Sequence, residues 1–431
     1  MVAGLETACH ALSEFPNAQI QLLLLRNCLD ACRVNHLLRS SNSFVVQQLL
    51  DRATASIRTT LEDIVGVGLT DAQWLQAILP MRLGGLGVKD PGKKRAGARI
   101  AAHIGFLQNA TTNVGVPPRA MAKPPHDLQQ VLGELGAQLG PHFEPVQTWV
   151  ANCGAVARAS FEYASQRWWA GHVSTQLQSN LLADGSVRDQ CRLHMQKSGF
   201  GAQWMGVLPS RPLHTLLPCT THKLLLWWWL GIPLIHAPSA SLTCPLCHAP
   251  CDPYGDHFVC CVQNNFYTRH TAVQDQLLRI LESSSIPCSR EQGPGLGGKE
   301  RPADVLLHHW VGGKAGAVDI TVTHALQLSE HPLSPERACS HTKREEERKV
   351  QCNAHLCQEA GWACIPFGMN CWAGLGPSAG ALLHQIIKRA TSALSGWPKT
   401  QRVLEIKQGL AFAVMREIGR QLEVVKRIQS C

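Results

Sequence analysis

The stretch RPADVLLHHWVGGKAGAVDITVTH, residues 301–324, alternates polar and apolar residues on both sides of a Gly-Gly dipeptide. Period-two alternation specifies strands, and Gly312-Gly313 suits a tight two-residue hairpin loop. A hairpin set among helix-patterned segments needs further strands and covering helices, which makes this part of the chain a mixed α/β domain. Closing the loop at Gly312-Gly313 pairs Asp304 with Thr321 and Leu306 with Asp319. Closing it at Val311-Gly312 sets Asp304 directly opposite Asp319. In both cases Asp304, Asp319, Thr321 and Thr323 share one face with Leu306, while Val305, Leu307, Val318, Ile320 and Val322 form a core face. Two carboxylates so placed either share a divalent cation or repel each other, raising one pKa. The competing reading is a polar, solvent-facing side of the sheet.

A second stretch, CPLCHAPCDPYGDHFVCC, sets Cys244-x2-Cys247-x9-His257-x3-Cys261 in a segment too rich in Pro and Gly to build its own core. Paired thiolates followed by a His and a Cys are the spacing of a tetrahedral Zn²⁺ site, and the metal would supply folding energy that the segment lacks. Cys260, Cys251 and His248 are rival ligands. The start of the chain has no basic-then-apolar signal pattern, so most of its 18 cysteines are expected as thiols in a reducing compartment. Cys28, Cys32, Cys153 and Cys352 read as small buried apolar residues.

With 431 residues, 45% hydrophobic and 16% charged, the composition is globular, with room for two or three domains. The net charge of +9 is compatible with a polyanionic partner. The longest apolar run, Leu224 to Ile235, is too short to span a bilayer and reads as a buried helix in which Trp227-Trp228-Trp229 pack in a core. Helical periodicity covers residues 15–90 and most of 128–235, with a linker at 111–127 and a turn-rich break at LPMRLGGLGV. Later, Ser334, Pro335 and Gly361 punctuate another helix, WACIPFG reads as a strand, GALLHQIIKRATSAL as a helix, and Arg402 to Gln429 as one long basic helix. Basic clusters at Lys93-Lys94-Arg95 and at Lys407, Arg416, Arg420, Lys426 and Arg427 suit nucleic-acid backbone contacts, or are solvated helix faces.

The Asp304–Asp319 pair resembles the core of PD-(D/E)XK, or restriction-like, nucleases. The ordered series of LPMRLGGLGV, the Cys/His knuckle, Arg269-His270, RPADV…DITVTH, a Lys-bearing helix and GW…PF is similar to the C-terminal part of non-LTR retrotransposon polyproteins. These carry such a nuclease after the reverse transcriptase. The resemblance implies five parts: a helical thumb- and linker-like region (1–115), a helical linker (116–237), a CCHC zinc knuckle (238–270), a restriction-like α/β endonuclease with a mixed sheet flanked by helices (271–400) and a C-terminal basic helix (401–431). It implies Mg²⁺ held by Asp304 and Asp319, catalytic Lys349 with Lys343 in reserve, target DNA and element RNA as partners, and a nuclear location. Glu345 and Glu346 are expected to hold the Lys349 ammonium, Glu291 is a further acidic ligand, and Arg269 and His270 are placed near phosphate. No polymerase motif of the Tyr/Phe-Ala-Asp-Asp type occurs. Thr321 stands where the wider superfamily has lysine, Asn353 where the retrotransposon branch has tyrosine, and Ala325 where it has proline. These departures keep a second expectation open, a catalytically inactive zinc-containing nucleic-acid-binding remnant.

Overall fold

The computed structural model of the chain describes residues 2–41, 43–115, 126–140, 165–197, 200–235, 242–292, 302–326 and 334–429. The chain is mostly helical with one small mixed sheet, and it divides into two compact units, Met1–Asp184 and Gly185–Cys431.

Among the described residues the first unit is all helical: α1 (Val2–Ser13), α2 (Ala18–Leu24), α3 (Asn35–Ser40), α4 (Ser43–Val65), α5 (Asp71–Ile78), α6 (Pro91–Thr112), α7 (His126–Leu139) and α8 (Gln166–Asp184). Asp90 caps α6 by accepting the Gly92 N–H at 2.8 Å, with Pro91 preset at the first helical position. Ile100, Ile104, Val131, Leu135 and Trp169 from α6, α7 and α8 share one buried cluster. Gly97 lets α6 and α8 approach, since a Cβ there would lie 2.7 Å from the Trp169 Cβ. LPMRLGGLGV folds as a tight reversal, with the N–H of Leu86 on the Ala77 carbonyl and that of Gly87 on the Leu79 carbonyl. Most of the expected linker, 116–125, lies outside the described residues.

The second unit holds α9 (Val187–Gln196), α10 (Cys219–Leu230), α11 (Asp256–Cys260), α12 (Tyr267–Ser283), β1 (Cys288–Gln292), β2 (Ala303–Val311), β3 (Lys314–Thr323), α13 (Pro335–Glu359), β4 (Ala363–Asn370), α14 (Pro377–Ala390), α15 (Gly396–Leu422) and α16 (Val425–Gln429). The sheet order is β1-β2-β3-β4, antiparallel until the last pair, where the helical crossover through α13 makes β3 and β4 parallel. The hairpin turns at Gly312-Gly313, with Val311 against Lys314, yet further along Val305 faces Val318. A bulge makes the difference: His308, His309 and Trp310 stand against Ala315, with His309 at φ 52. Continued one step beyond Val305–Val318, this register sets Asp304 opposite Asp319.

Val305, Leu307, Val318 and Ile320 are buried, as the alternation requires, and Val322 is half-buried. The aspartate-bearing face is also covered: Leu306 and Ala317 pack with Cys357 of α13. It is therefore not a solvent-facing side. β1 was not apparent in the sequence. The C-terminal helix starts at Gly396, six residues earlier than expected, breaks after Leu422, and packs against α10 and α12. Trp228 and Trp229 are fully buried, and Trp228 stacks on Trp372 at 4.3 Å between ring centroids. The cysteine expectation fails in part, because Cys28, Cys32 and Cys352 are exposed; Cys153 lies outside the described residues. No described helix is long and apolar enough to cross a membrane.

Candidate active site and metal centre

The metal centre starts from a turn. The His248 N–H donates to the Cys244 carbonyl and the Cys244 N–H to the Ala249 carbonyl, both at 2.9 Å, with exposed His248 in the left-handed region. This folds Cys244 and Cys247 toward one point. Asp252 builds the other half, accepting the N–H groups of Tyr254, Asp256 and His257 at 2.7–3.1 Å and so starting α11. His257 and Cys261 then lie four residues apart, one turn above the other. The four ligand atoms all fall within 4.8 Å of one another, with Cys244 Sγ 3.9 Å from Cys261 Sγ and Cys247 Sγ 3.2 Å from His257 Nε2. Metal–sulfur bonds of about 2.3 Å give a tetrahedral edge of about 3.8 Å, so this Cys₃His set could hold a zinc-like ion. It is the one group of three or more such ligands among the described residues.

The rival ligands separate cleanly. Cys260 lies outside the group of four; burial pushes its thiol strongly up, with the neighbouring Cys371 adding to this. Cys251 is buried outside the set, its thiol pushed up to about 11 by burial. Burial also pushes the Cys261 thiol up to about 12, so ion binding there must release a proton. Burial lowers the His257 pKa, favouring the neutral imidazole that ligates metals.

At the aspartate pair, α12 and α13 supply the partners. The Lys349 Nζ donates to Asp319 Oδ1 at 2.8 Å, and the Asn353 amide, one turn further on, donates to Asp319 Oδ2 at 2.5 Å. Asp304 Oδ2 accepts the Ile320 N–H at 2.6 Å and lies 3.0 Å from His270 Nε2. Among the described residues no hydrogen bond falls on Asp304 Oδ1. Burial and the neighbouring Asp304 charge lift the Asp319 carboxyl above its usual value, against Lys349. Burial acts the same way on Asp304, but His270 and the Ile320 N–H outweigh it and hold that carboxyl low. Two adjacent carboxyls with pKa values pushed apart are a common feature of hydrolytic sites.

Several expected roles are reassigned. Glu346 does not hold the Lys349 ammonium: it is buried and accepts the N–H groups of Gly368, Ser378 and Ala379 at 3.0–3.1 Å, capping α14. Helix α14 begins at Gly376-Pro377 with no side chain of its own to cap it, and a Cβ at Gly376 would strike this carboxylate. Glu345 pairs with Arg348 at 2.9 Å, and Lys343 lies 3.7 Å from Glu347 on the surface. Arg269 is buried, donating to the Val259 carbonyl, so it is not placed for phosphate; His270 reaches Asp304 instead. The Glu291 side chain lies outside the described residues. In the basic clusters, Arg95 pairs with Glu134, burial brings Lys94 down to about 8, and Arg416 and Arg420 share Glu417.

Sequence reading missed one buried network altogether. Asp256, beside the ligand His257, accepts Arg188 Nε at 2.8 Å and the Trp228 indole N–H at 3.3 Å, and faces His324 Nε2 at 3.2 Å. Burial alone would lower the His324 pKa, but Asp256 and Cys371 raise it to about 9. Arg269 and His324 in turn hold the Cys371 thiol below its usual value against burial. Cys371, His324 and Asp256 are the residue types of a nucleophilic triad, yet they are 0%, 4% and 3% exposed, so no substrate reaches them. The network ties α11, which carries His257, to the end of β3 and the residue after β4. The chain matches no protein-family model and no curated protein.

Proposed function

We propose that the second unit is a Mg²⁺-dependent DNA endonuclease of the restriction-like type, akin to those of non-LTR retrotransposons, with a structural Zn²⁺ in its knuckle. The observation that carries this reading is Asp304 set across from Asp319, with the Lys349 ammonium 2.8 Å from Asp319 Oδ1. The donor set suits Mg²⁺: two carboxylates on adjacent strands, with Asp304 Oδ1 uncommitted among the described residues. Mg²⁺ bound there would polarise a phosphoryl oxygen and acidify a water. Asp304 and Asp319 hold the negative charge that such a cation needs. Lys349 lies where it can stabilise charge on the scissile phosphate or orient the attacking water. His270 and the Ile320 N–H fix the Asp304 carboxylate, and Asn353 fixes that of Asp319. The amide of Asn353 thus donates at the position where the similar proteins carry tyrosine.

The three thiols and imidazole of Cys244, Cys247, Cys261 and His257 match the ligand preference of Zn²⁺, which would staple a segment with little core. The test is incubation of the full chain with supercoiled plasmid and Mg²⁺. Nicking is expected, abolished by Asp304→Ala and by Asp319→Ala and strongly reduced by Lys349→Met, with DNA binding retained. Equal nicking by the aspartate variants sinks the assignment. A second reading, an inactive zinc-containing nucleic-acid-binding remnant, draws on the two donors that already occupy Asp319. DNA binding without nicking would favour it.

A further inference from the structure

The motif LPMRLGGLGV and Trp168 of α8 meet at a cleft in the first unit. The reversal is rigid: the Leu83 N–H donates to the Pro80 carbonyl at 2.8 Å, the Gly84 N–H to Met81 at 3.0 Å, and Gln178 of α8 holds the Leu83 carbonyl at 2.9 Å. Arg82 projects from this loop toward α8, where a Cβ on Gly171 would lie 4.0 Å from its Nη2. Arg82, Arg167, Trp168, Gly171, His172 and Thr175 line a cleft of about 470 Å³. Helical spacing explains the set, because 167, 171 and 175 fall on one row and 168 and 172 on the next. The Trp168 ring lies edge-on to Trp169 at 4.7 Å and against His172 at 4.1 Å, which fixes it as a half-buried wall.

The electrostatics are one-sided. No carboxylate is among the described lining residues, and among the described residues neither Arg82 nor Arg167 forms an ion pair. An anion is therefore the favoured occupant, and the indole selects one with a flat ring. An aromatic wall beside two guanidiniums and a hydroxyl is the chemistry that holds a base by stacking and its phosphate by charge. The volume lies within the range of small-molecule sites and admits a single nucleotide.

We infer that this cleft binds one nucleotide of a single-stranded nucleic acid, its base against Trp168 and its phosphate between Arg82 and Arg167. This site is independent of the nuclease reading, since every residue in it belongs to the other unit. Binding of short fluorescein-labelled oligothymidylate and oligouridylate to the full chain, read by anisotropy without Mg²⁺, tests it.

Trp168→Ala and Gly171→Leu should each weaken binding by roughly 5- to 100-fold, the usual range for a lost base stack. Trp168→Phe should stay within about 3-fold of the parent, because a phenyl ring still stacks. At Gly171 a Cβ meets only the flexible end of Arg82, at 4.0 Å, and the change replaces a poor helix former by a good one, so Gly171→Leu should fill the cleft with folding intact. Arg82→Gln with Arg167→Gln should flatten the dependence of affinity on salt by about 0.7 in the log–log slope, the share of one phosphate on a single strand. An oligomer of abasic spacers should bind as weakly to the parent as the normal oligomer binds to Trp168→Ala. Preference for one of the two oligomers would identify the strand as DNA or RNA within the same proposal. Unchanged affinity in both Trp168→Ala and Gly171→Leu, or full-strength binding of the abasic oligomer, would overturn it.

Discussion

Asp256→Asn isolates the buried network at little steric cost. The carboxylate is 3% exposed, with Arg188 at 2.7 and 2.8 Å and His324 at 3.2 Å, so the change removes the carboxylate charge that half-buried Arg188 and buried His324 both face. Charge-assisted bonds contribute about 1.5–3 kcal/mol each, and breaking a buried pair by neutralising one partner costs about 3–5 kcal/mol. We take the latter as the expected loss, since the introduced amide oxygen can still accept one bond. Because the second unit need not unfold together with the first, the suitable assay is hydrogen exchange of peptides from β3 and β4. Their opening free energy should fall by that amount, which means exchange roughly 150- to 5,000-fold faster. Zinc content should stay at its parental level, because Asp256 is not a ligand. Adding Arg188→Met should recover part of the loss, since the lone cation is then gone and neighbouring changes do not add. Protection within about 1 kcal/mol of the parent, or a strictly additive double variant, would refute the view that these charges depend on one another.

His324 makes the same unit sensitive to alkali. Its folded pKa is raised to about 9 by Asp256 and Cys371 against burial, with Arg188 as the positive group that shares Asp256; burial lowers the pKa of the neighbouring His341, which is neutral over this range. The stabilisation is therefore fully present below the unfolded value of about 6.5 and lost as pH rises through about 9, at most about 3 kcal/mol in total. Urea midpoints should fall over that window in the parent and stay flatter in His324→Gln; parallel slopes would remove His324 as the cause. At the metal centre, the full chain purified in reducing buffer should carry one zinc. Cys244→Ala or His257→Ala should lose it together with protection of the knuckle, while Cys260→Ala should keep both; a folded, metal-free parent would end the zinc assignment.

What the sequence made legible is what local periodicity encodes. Alternation around Gly312-Gly313 specified the hairpin and its two faces, and Cys/His spacing picked the four ligand positions that come together. The register of Asp304 was open between two values, and the bulge at His308–Trp310 decides it. That bulge depends on His309 adopting φ 52, a conformation that no residue in the stretch announces as a glycine would. Helix punctuation by Ser334 and Gly361 was readable too, since Ser334 Oγ accepts the Arg337 N–H at 3.3 Å and Gly361 has φ 68.

The roles that escaped sequence reading belong to side chains whose partners are distant. Glu346 looked like one more charge in a run of charges. Its actual partners are backbone groups at Gly368, Ser378 and Ala379, and the available signal was a helix starting at Gly-Pro with nothing to cap it. Asp256 looked like a spacer next to a metal ligand, although Arg188 precedes it by 68 residues and His324 follows by as many. Neither contact has a period or a motif. What they share is burial of a carboxylate, and a charge taken out of water must find a counter-charge or a row of donors. Glu346 sits three residues before Lys349 on α13, and Asp256 sits one residue before His257. Each buried carboxylate thus anchors the element that carries a proposed functional group. Damage to the anchor should therefore reach the chemistry through position, leaving the reacting groups themselves intact.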